Sequence, residues 1–175
     1  MQLIDYSNVQ PAIEGDVWTH VDDDAPLPPD SPATVSLDRW QASRDELAGR
    51  NQPVGVRLDS HERIDDILSD LSRFDLIALN FPNLNDGRHF STARLLRERH
   101  GYDGRLRATG QVLRDQLDPM RRCGFDEFEI PAGKDAAAAI PAFDEISVTY
   151  QPAADARLTA AQQRHRLPEQ VAVAV

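Results

Sequence analysis

Apolar positions along this chain change period several times, and the changes divide it into elements. Val54, Val56 and Leu58 alternate with Gly55, Arg57 and Asp59, which predicts a half-buried strand over residues 53–58. Ile64, Ile67, Leu68, Leu71 and Phe74 then recur at helical spacing, an amphipathic helix that Asp59 or Ser60 can cap. Residues 75–81 are a continuous apolar run, the pattern of a central parallel strand covered on both faces. After the polar loop 82–88, Phe90, Ala93 and Leu96, widened by Leu95, predict a second helix that starts at Arg88 or His89 and ends at His100 before Gly101. Residues 104–108 predict a third strand. Residues 111–122 predict a third helix, broken at Asp118-Pro119, because proline removes a backbone donor and suits the first turn of a new helix. Residues 125–130 predict a fourth strand.

The flanks are less regular. Val17, Thr19 and Val21 alternate, which gives a short strand within residues 15–21, whereas Pro26, Pro28, Pro29 and Pro32 exclude regular structure from the next stretch. Asp22, Asp23 and Asp24 lack the spacing of a calcium loop and read as solvated. Ser36 can cap a helix over residues 36–49 whose face is Leu37, Trp40 and Leu47, with Gly49 as its stop. Residues 134–140 predict a short alanine-rich helix and residues 145–150 an alternating strand. Three regions result: an irregular N-terminal segment with a short strand (1–32), one α/β domain (33–150), and a C-terminal tail (151–175) whose helix would fall within 153–165.

Consecutive strand–helix units connect in a right-handed sense and give a mainly parallel sheet. Loops leaving the C-terminal ends of its strands, near Asp59, Asn80, Ala108 and Ile130, then gather on the edge where such folds bind ligands. The alternation has a second consequence. Arg105, Arg107 and Thr109 share one face of the third strand, and Arg57 and Asp59 share one face of the first. A sheet covered on both faces does not place charges this way. Either helices cover one face only, leaving a polar concave side like part of an α/β barrel, or these strands lie at an edge. At 175 residues the chain is short of a closed eight-stranded barrel. An incomplete barrel or a two-layer sheet leaves edges to be covered by the N-terminal region, the tail or a second copy in a homo-oligomer.

Charge narrows the function classes. The net charge is −10 and the pI about 4.8, so neither nucleic acid nor an anionic membrane surface is an expected partner. No apolar run reaches membrane-spanning length, and the N-terminus lacks the basic start and long apolar stretch of a secretion signal, so the expected compartment is the cytoplasm. Cys123 stands alone and the five histidines are scattered, so neither metal nor cofactor is expected. GxGxxG, P-loop and GxSxG patterns are absent. Acids dominate residues 1–60 and arginines dominate residues 88–122, an asymmetry that reads as internal acidic-on-basic packing or as an anion-accepting surface. Arginine suits either, since its planar fork matches carboxylates and oxyanions. The candidate anion site is therefore Arg88, Arg107 and Arg57, with Asn80, Asn83, Asp86 and Gly87 orienting the anion or shaping the loop. Asp86 and His89 are the candidate acid–base groups if the site is catalytic.

The blocks Leu79-Asn80-Phe81-Pro82, Asp86-Gly87-Arg88, Leu106-Arg107-Ala108-Thr109-Gly110 and Cys123-Gly124-Phe125-Asp126 resemble a family of small bacterial proteins encoded beside assimilatory sulfite or nitrite reductase. Some of its members are labelled as oxidoreductases of sulfite reduction. The likeness covers roughly residues 33–130 and implies sulfite reductase as a partner. Asn83 and Leu84 stand where the family has a lysine and an aromatic, and Asp118-Pro119 interrupts a helix that the family continues. Sulfite reduction needs a siroheme–iron–sulfur centre or an equivalent electron source. With one cysteine and no flavin or nicotinamide fingerprint, an accessory role is expected in preference to electron transfer. The alternatives are a small enzyme acting on an anionic metabolite and a pure interaction module for the reductase.

Overall fold

The computed structural model describes residues 2–8, 10–155 and 157–165. Its centre is an eight-stranded sheet in the order β2-β1-β8-β7-β6-β5-β4-β3. The strands are β1 (Gln2–Asp5), β2 (Ala12–Glu14), β3 (Thr19–His20), β4 (Ala33–Ser36), β5 (Val54–Leu58), β6 (Leu76–Phe81), β7 (Arg105–Gly110) and β8 (Glu127–Ile130). From β3 to β8 each neighbour is parallel, and β1 joins antiparallel to both β8 and β2. The fold is mixed α/β, as the strand–helix rhythm requires, and the sheet forms a half-barrel with helices packed around it.

The connectivity itself requires the curl. β2 and β3 sit at opposite ends of the sheet, yet only residues 15–18 lie between them. Five Cα steps of at most about 3.6 Å reach about 18 Å. A flat sheet of eight strands would be about 34 Å across. The two edges are therefore drawn together, and residues 15–18 cross the open side as a strap. Gly55 helps at the middle of the curl: a β-carbon there would stand 2.7 Å from the Leu76 carbonyl oxygen and 2.9 Å from Thr34 Cγ2.

The convex face carries the core. Val35, Val56, Leu58, Ile77, Leu79, Phe81, Leu106, Ala108 and Phe128 are fully buried there with Trp40, Leu47, Ile67, Leu96 and Met120 from the helical layer. That layer comprises α1 (Leu37–Ala42), α2 (Arg44–Ala48), α3 (Arg88–Glu98), α4 (Leu117–Arg122) and α5 (Ala136–Ala139); α6 (Ala160–Arg164) follows in the chain and buries no side chain.

The four central strands and α3 lie where the periodicity puts them. Other elements differ. The helix over 36–49 is two helices, α1 and α2, that meet at Ser43; Ser36 caps the first by accepting from the Arg39 amide at 3.0 Å. The helix over 64–74 is a pair of 3-10 turns, Ile64–Asp66 and Leu68–Arg73. In a 3-10 helix residues three apart eclipse, which lines up Ile67 with Asp70. Asp70 is pulled inward, 4% exposed, by the Trp40 indole N–H at 3.1 Å and by Arg44. Residues 145–150 are not a strand: Thr149 makes one isolated bridge to Thr159, while Ile146, Val148 and Tyr150 are exposed. The ends of the sheet are taken by β2 and β3, so this alternating stretch has no ladder to complete. In place of a helix over 111–122 there is a 3-10 turn, Arg114–Gln116, followed by α4 with Pro119 in its first turn. α6 is shorter than the predicted tail helix, and the tail beyond residue 165 lies outside the described residues. The N-terminal segment supplies three strands where the alternation predicts one.

Candidate functional site

The polar face of the half-barrel is built in registered rows. Ser36, Arg57, Ala78, Arg107, Glu127 and Asp5 stand side by side across six strands. One step further along, Asn80 pairs with Thr109. Among the described residues no helix lines the cavity on this face, and its charges are answered by one another and by the strap.

Arg107 is the centre of that arrangement. It is 3% exposed, its two terminal nitrogens donate to both oxygens of Asp16 at 2.8 and 2.9 Å, and its Nε donates to Glu127 at 2.7 Å. Asp16 is held in place locally, because its carboxylate also accepts from the Trp18 amide at 3.0 Å, a turn that aspartate favours. Arg105 bonds Asp5 at 2.8 Å and also Glu127. The acidic N-terminal region thus packs on the arginine-rich third strand, one of the two outcomes the charge asymmetry allows.

Beneath the strap lies a cavity of about 90 Å3. Asp16, Trp18 and His20 roof it, and Thr34, Arg57, Ala78, Arg107, Thr109 and Glu129 form its floor and walls. Among the described residues Arg57 has no carboxylate within ion-pair distance. Thr109 is 3% exposed and its hydroxyl has no hydrogen-bond partner among them. Burial, aided by the nearby Arg57 charge, holds His20 below the ordinary histidine value, and its Nδ1 lies 3.3 Å from the Thr34 hydroxyl. Burial pushes the Glu129 carboxyl up; Arg107 and Arg57 oppose this and Asp16 adds to it. The cavity therefore offers one unanswered cation, an unused hydroxyl and a carboxylate whose charge is disfavoured.

The loop after β6 is arranged differently. Arg88 is bidentate to Asp86 at 2.9 and 2.6 Å and donates to Ser60 at 3.0 Å. The Arg88 and Ser60 hydrogen bonds hold the Asp86 carboxyl well below the usual carboxylate range. Asn83 accepts from the Asn85 amide at 3.0 Å, Asn80 donates to Asp59 at 2.7 Å, and Gly87 is the N-cap of α3. His89 is 1% exposed, packs edge-on to Phe81 with ring centres 5.8 Å apart, and has neither ring nitrogen bonded among the described residues.

The sequence-predicted site therefore divides in two. Asn80, Asn83, Asp86, Gly87 and Arg88 gather with Asp59 and Ser60 at the C-terminal ends of β5 and β6, whereas Arg57 and Arg107 lie within the concave face. Sequence reasoning missed Asp16, Trp18, His20 and Thr34, which the strap, β3 and β4 deliver, and Glu127 and Glu129 on β8. Those two glutamates alternate with Phe128 and Ile130, the same signal that marked Arg105 and Arg107. A shallower crevice of about 350 Å3 opens at the ends of β7 and β8, between Val112, Asp115, Ile130 and Lys134. Cys123 is half-buried against the core, and burial pushes its thiol up. Among the described residues no three histidine, cysteine or carboxylate side chains are placed to hold a metal ion.

Residues 55–161 match the model of a family described as a bacterial protein of unknown function, DUF934. No curated protein and no solved structure matches the chain.

Proposed function

We propose that this chain, which belongs to the DUF934 family of bacterial proteins of unknown function, binds a small oxyanion beneath the strap and serves assimilatory sulfite reduction as an accessory protein. The observation that carries the binding reading is Arg57, a cation that faces a small cavity without a carboxylate partner among the described residues, opposite the unbonded, buried hydroxyl of Thr109. A buried donor left unmatched costs stability, and an oxyanion supplies acceptors to both groups at once. The link to sulfite reduction rests on the resemblance carried by the Asp86-Gly87-Arg88 and Arg107-Ala108-Thr109-Gly110 blocks.

Trp18 roofs the cavity and gives an intrinsic probe. Titration with sulfite should change its fluorescence saturably, and Arg57→Ala should abolish the change while leaving the fold intact. In cells, a deletion strain should grow poorly on sulfate, recover on cysteine, and be complemented by the wild-type gene but not by Arg57→Ala. Equal binding by wild type and Arg57→Ala would remove the site; unimpaired growth on sulfate would remove the pathway.

A second reading is docking onto the reductase, favoured by Ile146, Val148 and Tyr150, which are half or more open to solvent and line a concavity with Pro119 and Arg122. Val148→Asp should then abolish pulldown of the reductase and leave oxyanion binding unchanged.

A further inference from the structure

The cavity has a wall that a simple anion trap would not have. Glu129 lines it, with one carboxylate oxygen 3.7 Å from an Arg107 nitrogen that is already committed to Asp16. An ionised carboxylate only accepts hydrogen bonds. A fully deprotonated oxyanion also offers only acceptors, so placing it against Glu129 sets two negative acceptors face to face in a poorly solvated space. An oxyanion that keeps one proton can turn that proton to Glu129 and its bare oxygens to Arg57 and Thr109. The repulsion becomes a charge-assisted hydrogen bond. Discrimination by an unmatched group of this kind is larger than discrimination by shape.

Resting on the oxyanion reading above, we infer that the cavity selects oxyanions that carry a proton over fully ionised ones of the same size, and that Glu129 is the specificity-determining residue. The cavity is small, about 90 Å3, a size that suits a central atom with three or four oxygens better than a nucleotide. The groups that face Glu129 are Asp16 from the strap, Arg107 on β7, Arg57 on β5 and Glu127 on its own strand, with His20 of β3 at the roof. Two of these, Asp16 and Glu127, are already bonded to Arg107. Glu129 is the carboxylate left to meet a ligand.

Matched probes of equal shape test this. Inorganic phosphate keeps a proton near neutral pH and sulfate does not; bicarbonate keeps one and nitrate does not. The wild-type chain should bind phosphate over sulfate, or bicarbonate over nitrate, by at least about tenfold. Glu129→Gln, whose amide can donate, should bring each pair to within about threefold, chiefly by admitting sulfate or nitrate. The wild-type chain gives a second readout that needs no variant. Sulfate remains a dianion as the pH falls, so its binding should strengthen as Glu129 takes up a proton and becomes a donor. Parity within both pairs in the wild type, or an unchanged ratio in Glu129→Gln, overturns the inference and leaves the oxyanion site standing. Binding of none of the four probes overturns the oxyanion reading and this inference with it.

Discussion

In the loop after β6, Arg88 lies 2.6 Å from Asp86 with most of its side chain in water. On the concave face, Arg107 is sealed between Asp16 and Glu127, and Arg57, in the same row two strands away, meets no carboxylate among the described residues. The sequence separates Arg88, in a loop, from Arg57 and Arg107, on strands, but does not show how their charges are answered. They differ in how many acids the fold brings within reach. A solvated pair is screened and contributes little. A desolvated pair is expensive to break because its partner is left charged and buried. A cation left without a partner on a concave wall is available to a ligand. Position at the C-terminal ends of the strands, the usual guide in parallel sheets, does not separate these cases; local charge accounting does.

The largest effect should come from Arg107→Ala, which takes both guanidinium contacts from Asp16 and leaves Glu127, at 2% side-chain exposure, with the half-exposed Arg105 alone. Chemical denaturation should show a loss of about 3–5 kcal/mol. A loss below about 1 kcal/mol would mean that the concave network is as weak as the solvated loop. Next is Asp16→Ala, which removes the bidentate contact holding the strap. A loss of about 1.5–3 kcal/mol is expected, the range for hydrogen bonds to charged groups. Limited proteolysis should then cut within residues 15–18 before any other site. A double-mutant cycle with Arg107 should show strong coupling between the two.

Much of this contrast could be read before the structure, and the unread part has a physical cause. Alternation in β5 and β7 exposes Arg57 and Arg107 as residents of a polar face, because period two is a local property of a strand. The same alternation in Glu127 and Glu129 was there to be used. The strap could not be read in this way. β2, β3 and β4 are two to four residues long, too short for a local period to define, and the alternation of Val17, Thr19 and Val21 catches β3 while running on over the strap. Asp16 therefore looked like one more acid in an acidic segment, although it sits 91 residues from the arginine it binds. The 3-10 turns over residues 64–73 hide for a related reason: the burial of Asp70 under Trp40 is a tertiary choice that overrides a helical pattern.

His89 tests the loop region by acid. Burial holds it below the ordinary histidine value, with Asp86 and Asp59 pulling the other way and Arg88 adding to the depression. In the unfolded chain it takes a proton near its ordinary pKa, about 6.5. The unfolded state therefore binds more protons as the pH falls below that point, and the stabilisation present above it is lost progressively toward the folded-state value. Stability should fall by about 1 kcal/mol per unit of downward shift across that window. His89→Phe, which keeps the edge-on contact with Phe81, should flatten this acid limb. An unchanged limb would assign it to His20, which burial also holds low.

Arg88→Ala should have the smallest effect and decides the most. Its side chain is 62% exposed, the pair links residues two apart in one loop, and Asp86, at 8% side-chain exposure, keeps its Ser60 hydrogen bond when Arg88 is removed. A stability change within about 1 kcal/mol is expected. Oxyanion binding should also be unchanged, since Asp86 and Ser60 already occupy the guanidinium. Arg57→Ala is the matched variant: similarly small in stability, because it breaks no ion pair among the described residues, but complete in its loss of binding. The reverse result, with Arg88→Ala silencing the Trp18 signal and Arg57→Ala leaving it intact, would return the site to the strand-end loop. It would also show that an arginine paired in the free chain can exchange its carboxylate for a ligand.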